Sequence, residues 1–177
     1  MSITTKLGDS GTTRLIFGRP VGKDHPAIAA VGDTDELNAV LGLARLHARR
    51  KDVVAIIARA QEDLVGVMGQ LSAGGAEAGR YREKGFRCVE QRSVDRLTAE
   101  GAALEAEFSG GFHTWSVPGA SGNHGSAWLE LARSVCRRAE RSVATLMITD
   151  PALEPAIQAW LNRLSDVLWL CAQCEGK

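Results

Sequence analysis

Residues 52–71, DVVAIIARAQEDLVGVMGQL, hold the cleanest periodicity in the chain. Val53, Ile56, Ile57, Ala60, Leu64, Val67, Met68 and Leu71 recur at i, i+3, i+4 and i+7, so they fall on one face of an α-helix. Such a helix is stable only when its apolar stripe is covered, and the neighbouring segments offer matching stripes. Residues 33–47 carry Leu37, Val40, Leu41, Ala44 and Leu46. Residues 89–108 carry Val94, Leu97, Leu104 and Phe108. An apolar-periodic run covers 126–147, and residues 152–174 place Leu153, Ile157, Trp160, Leu161, Leu164, Val167, Leu168 and Cys171 on one broad face. Asp33 and Glu36 have capping-box spacing, which predicts that the first helix starts at residue 33 or 34. Asp35 then sits in the first turn, where the helix dipole alone favours a carboxylate.

Between these runs, Gly74-Gly75 breaks the chain, residues 79–82 read as an exposed loop, and Gly110-Gly111 ends the third helix. The glycine-rich residues 119–125 read as another loop. Residues 1–32 show little periodicity and read as an irregular segment, with a strand signal only at 14–17. Five helical segments joined by loops predict an all-α five-helix bundle, a single domain over residues 1–177.

Lys plus Arg equals Asp plus Glu at 21 each, for a net charge of zero. That weighs against a nucleic-acid binder working through a globally basic surface, while leaving room for a local basic pocket. No uncharged apolar run reaches 18 residues, and the first 13 residues are polar. The expectation is therefore no membrane span, no signal peptide and a cytoplasmic protein. Cys171 and Cys174 form a C-x-x-C inside a helical pattern, without a second pair or a nearby His to complete a zinc site. With Cys88 and Cys136 they read as small hydrophobes in helix packing. His25, His47, His113 and His124 are too scattered for metal-ligand spacing.

The chemistry gathers in three places. Within residues 132–141, Arg133, Arg137 and Arg141 are spaced i, i+4, i+8 and share a helix face, with Glu140 three residues from Arg137. Such a row is either a solvated charged face or a polyphosphate clamp, because a guanidinium forks onto two phosphate oxygens at once. The N-terminal Thr5-Lys6-Leu7-Gly8-Asp9-Ser10-Gly11-Thr12-Thr13, followed by Gly22-Lys23, supplies exposed N–H groups, hydroxyls and ammonium groups suited to phosphate oxygens. It lacks the Walker A spacing, and a plain N-terminal arm is the competing reading. The third place is Leu161-Asn162-Arg163-Leu164-Ser165-Asp166 in the last helix.

In order and approximate spacing these three motifs, with the helix start Asp33-Thr34-Asp35-Glu36-Leu37-Asn38, resemble the signatures of the PduO-type ATP:cob(I)alamin adenosyltransferases across nearly the whole chain. The resemblance implies a five-helix bundle that assembles as a homotrimer with sites between subunits. It implies ATP, Mg²⁺ held through the ATP phosphates, and cobalamin as the corrinoid substrate. Thr5, Lys6, Gly8 and Thr13 match the loop that wraps the ATP phosphates, and Lys23 matches a downstream phosphate lysine. Arg137, Glu140 and Arg141 match the facing clamp, and Asn162 a nucleotide contact. Asp35 and Arg133 match a pair that links subunits and shapes the corrinoid side. Trp115 aligns with an aromatic residue that crowds the lower face of cobalamin, although it also suits a core or loop-anchoring role. By the same resemblance Arg137, Lys23, Asp35 and Arg133 are the catalytic candidates, and the partners are an electron-donor reductase and an adenosylcobalamin-dependent acceptor enzyme.

The chain departs from the family pattern at Leu7, a position usually polar, at Gln173, commonly Arg, and at Glu130, often His. The segment 118–133 is about two residues longer than usual. Two rival readings accompany the enzyme: a nucleotide- or corrinoid-binding carrier or regulator on the same bundle, and an interaction bundle without a small ligand.

Overall fold

The computed structural model describes residues 4, 6, 8–108 and 117–177. Two short strands, β1 (Thr12–Arg14) and β2 (Pro20–Gly22), precede the helices α1 (Pro26–His47), α2 (Lys51–Ala73), α3 (Ala78–Glu83), α4 (Gln91–Glu105), α5 (His124–Thr149) and α6 (Ala156–Gly176). Five of the six are long, and these build the expected bundle.

Helix α5 packs between α1 and α6; α1 also packs on α2, and α6 on α4. Ion pairs between α2 and α4 close the ring. Arg96 reaches the buried Asp63, and Arg59 Nη2 lies 2.8 Å from Glu100 Oε1. Helices α1 and α5 are antiparallel, since His47 at the end of α1 stacks on Trp128 near the start of α5 while Asp33 meets Arg138 and Ser142. The core holds Trp160, Leu37, Leu41, Ile57, Leu64 and Leu161, all essentially without solvent exposure. Cys136, Cys171 and Cys174 are buried free thiols packed into it, as the apolar reading of the C-x-x-C predicts. Burial pushes the Cys136 and Cys171 thiols up, far from the thiolate form.

The chain enters the bundle differently from the sequence expectation. Helix α1 begins seven residues before Asp33, with Pro26 at its first position and His25 Nδ1 accepting from the Ala27 N–H at 3.1 Å. Asp33 and Glu36 are therefore not a cap; their carboxylates hold the Arg138 side chain of α5. Asp35 is mid-helix and exposed, beyond the reach of the dipole argument.

Residues before α1 are also less irregular than expected. β1 and β2 pair antiparallel with Thr13 opposite Val21, and the predicted strand at 14–17 is displaced to Thr12–Arg14 because residues Ile16–Gly18 form a 3₁₀ turn. Leu15 inserts into the core and the Ile16 N–H donates to Ser72 Oγ at 2.8 Å, fixing the hairpin to the end of α2.

The predicted exposed loop at 79–82 belongs to α3, and Tyr81 within it is buried. A Cβ on Gly69 would overlap the Tyr81 hydroxyl, so the missing side chain in α2 is what admits the ring. At the other end of the bundle, the Glu175 carboxylate accepts from the N–H groups of Arg49 and Arg50, the shortest contact being 2.8 Å. Asn123 caps α5 through Ser126 N–H and donates to the Glu175 carbonyl at 2.6 Å, tying three helix ends together.

Candidate functional site

Two clusters of the sequence-predicted residues form, and they are separate. The first is the hairpin and what precedes it. Gly11 adopts φ +79°, and the Lys23 N–H donates to its carbonyl at 2.9 Å. The Lys23 side chain lies across Gly8, where an added Cβ would stand 3.1 Å from both Cε and Nζ. Lys23 thus lies three residues before the first turn of α1, exposed and without a carboxylate partner among the described residues. Lys6 is exposed at φ 58°, and Thr13 is half-buried in the strand pair. A free ammonium beside a glycine backbone and a helix N-terminus suits an anion with several oxygens. Thr5, Leu7 and Trp115 lie outside the described residues.

The second cluster is a groove of about 700 Å³ between α4, α5 and α6. Arg133 and Arg137 enter from α5, Arg163, Asp166 and Trp169 from α6, and Thr98 and Glu105 from α4. Arg163 Nη1 donates to Asp166 Oδ2 at 3.3 Å, and Arg133 Nε to Glu130 Oε2 at 2.8 Å. Arg137 has no carboxylate partner among the described residues, and its carbonyl accepts from Arg141 Nη1 at 2.9 Å. Glu140 does not neutralise Arg137; its Oε1 accepts from Gln158 Nε2 at 3.3 Å, across to α6. Asn162 is exposed on α6 next to Arg163. The result is a cationic wall with one uncompensated guanidinium, facing a wall that is partly apolar and aromatic. Such a groove accepts a ligand that is both anionic and flat or apolar.

Neither Lys23 nor Thr13 lines this groove, and Asp35 does not meet Arg133 within one chain. Arg163 is legible only as the middle of Leu161-Asn162-Arg163, and the α4 residues carry no motif at all. Among the described residues no cluster of three His, Cys, Asp or Glu side chains could hold a metal ion, and no helix is long and apolar enough to cross a membrane.

The family described as cobalamin adenosyltransferase matches residues 3–175. A cobalamin adenosyltransferase of Cupriavidus metallidurans is 38% identical over 97% of this chain and 86% of its own length. The corrinoid adenosyltransferase PduO of Salmonella typhimurium is 30% identical over 99% of this chain, which spans 50% of that longer protein. Among solved structures, a single-residue variant of the PduO-type ATP:corrinoid adenosyltransferase of Lactobacillus reuteri, complexed with cobalamin and ATP, superposes with a TM-score of 0.83. It is 27% identical, over 97% of this chain and 91% of that one.

Proposed function

The chain belongs to the cobalamin adenosyltransferase family, and from that membership we propose that it transfers the 5′-deoxyadenosyl group of ATP to the cobalt of cob(I)alamin or a related corrinoid, with release of triphosphate. The observation that carries this reading is Arg137, without a carboxylate partner among the described residues, in a groove with a partly apolar wall, an arrangement that suits a triphosphate leaving group beside a corrin ring.

The reduced cobalt is the nucleophile. A Co–C bond forms at C5′ as the C5′–O bond breaks, and the electron pair leaves with the triphosphate. No proton is removed from the nucleophile, so no general base is needed. What the protein supplies is positive charge where negative charge grows. Arg137 and Arg141 from α5 and Lys23, Lys6, Gly8, Thr13 and Thr5 from the N-terminal segment are the groups for that task. Glu140 and Asn162 contact the nucleotide. Mg²⁺ is carried on the ATP phosphates, where it adds positive charge to the leaving group.

Because the phosphate-directed groups fall into two clusters, we place the complete site between two copies of the chain in a homotrimer, where Asp35 of one copy meets Arg133 of the next. Trp115 crowds the lower face of the corrinoid, easing reduction of Co(II) to Co(I) by an electron-donor reductase. The adenosylated product passes to an adenosylcobalamin-dependent enzyme. Four free cysteines fit a reducing cytoplasm.

The deciding assay mixes the protein, ATP, Mg²⁺ and chemically reduced cobalamin without oxygen and follows the corrinoid absorbance. The expected result is an adenosylcobalamin spectrum with stoichiometric triphosphate. Binding of both ligands without that spectrum would make the protein a carrier, and phosphate plus pyrophosphate without an adenosylated corrin would contradict the reading.

A further inference from the structure

Two of the departures from the family pattern touch one another. Glu130 on α5 is only 5% exposed. Its Oε2 accepts from Arg133 Nε at 2.8 Å, and its Oε1 accepts from Gln173 Nε2 of α6 at 3.4 Å. Among the described residues Arg133 is the one cation paired with it. A carboxylate held this far from water is tolerable only while that partner stays in place. The constraint is mutual. With its Nε fixed one turn back along the helix, the Arg133 guanidinium loses rotamer freedom. Arg133 lines the groove that Trp169 also lines from α6. Gln173, one turn beyond Trp169, steadies the carboxylate from the other helix.

We infer that Glu130 is a positioning residue, held by Gln173, that fixes the Arg133 side chain on the corrinoid side of the groove. The inference rests on the reading that Arg133, met by Asp35 of the next copy, shapes the corrinoid side of the site.

The test compares wild type, E130Q, E130D and E130A by steady-state kinetics with pre-reduced cobalamin and ATP. A turnover-independent titration of cob(II)alamin in the presence of ATP accompanies it. E130Q keeps the shape and removes the charge. It is expected to raise the corrinoid KM and the cob(II)alamin Kd roughly tenfold, the scale of one charge-assisted hydrogen bond. The KM for ATP should stay within about twofold, and E130D should recover part of the loss. E130A is expected to lose more, and E130Q carries the conclusion if E130A does not fold. An unchanged corrinoid KM and Kd in folded E130Q, or equal rises for corrinoid and ATP, overturns the inference. Wild type that binds cobalamin without transferring the adenosyl group overturns the proposed activity, and the Kd series still reads Glu130. Wild type that binds no corrinoid overturns both.

Discussion

Arg137 and Arg138 are chain neighbours with opposite duties. Arg138 is spent on Asp33 and Glu36 of α1, whereas Arg137 keeps its charge for the groove. Arg137→Ala should therefore lower kcat with triphosphate departure uncompensated, by about 2–4 kcal/mol in barrier, as for loss of one transition-state donor. Its melting temperature should stay near wild type; turnover within a few-fold of wild type would remove Arg137 from the reaction. Trp115→Ala should slow reaction from cob(II)alamin plus reductant far more than reaction from pre-reduced cob(I)alamin. Equal losses in the two assays would end the argument for lower-face crowding. At this level the sequence was readable where identity and spacing suffice. The i, i+4 row of Arg133 and Arg137 does share a groove. It was unreadable where the partner is remote. Nothing near Asp33 in the chain announces Arg138, and nothing near Glu130 announces Gln173, which reaches it from another helix.

Helix α2 is readable end to end because its stripe is continuous, while α1 is not. Its first two turns bury only the small Ala27 and Ala30 fully, with Ile28 and Val31 partly covered, and Asp33 with Glu36 imitates a cap about two turns into the real helix. Likewise α3 is hidden because its one buried anchor, Tyr81, fits only through the gap at Gly69. A second element-level feature titrates. Arg50, at the start of α2, bonds both Asp52 and Glu107, at 2.6 Å each, and holds the Glu107 and Asp52 carboxyls below the usual carboxylate range. A carboxylate depressed in the folded state stabilises it fully above the unfolded pKa, and that contribution is lost as pH falls through the folded value. Removing Arg50 should accordingly lower the melting temperature at pH 7, and the gap between Arg50→Ala and wild type should close as pH falls below about 4. These side chains are 30% to 49% exposed, so the gap should also shrink in high salt. A gap that widens in acid would assign the effect to packing instead.

For the molecule as a whole, the ring α2–α1–α5–α6–α4 sets the two phosphate-directed clusters apart, and the consequence is a test of assembly. In solution the protein should run at three times the 18.9 kDa of one chain. More tellingly, Lys23→Ala and Arg137→Ala, each inactive alone, should regain activity when co-expressed. If a site takes Lys23 from one copy and Arg137 from the next, random mixing leaves about a quarter of the sites intact. No recovery in verified mixed oligomers would place both groups in the same copy. The bundle itself was legible, because five amphipathic runs allow few other packings. The meeting of copies was not, since no periodicity within one chain encodes which exposed faces pair.

Helix α5 is pressed on one flank by α1 and on another by α6, and its arginines are divided between them. An alanine scan from residue 132 to 142 would therefore trace two waves of helical pitch, one in turnover and one in thermal tolerance, with their crests about a quarter of a rotation apart. Positions 133, 137 and 141 would crest in the first, and 138 and 142 in the second. For anyone evolving this protein, the troughs between them mark where one property can be changed without disturbing the other.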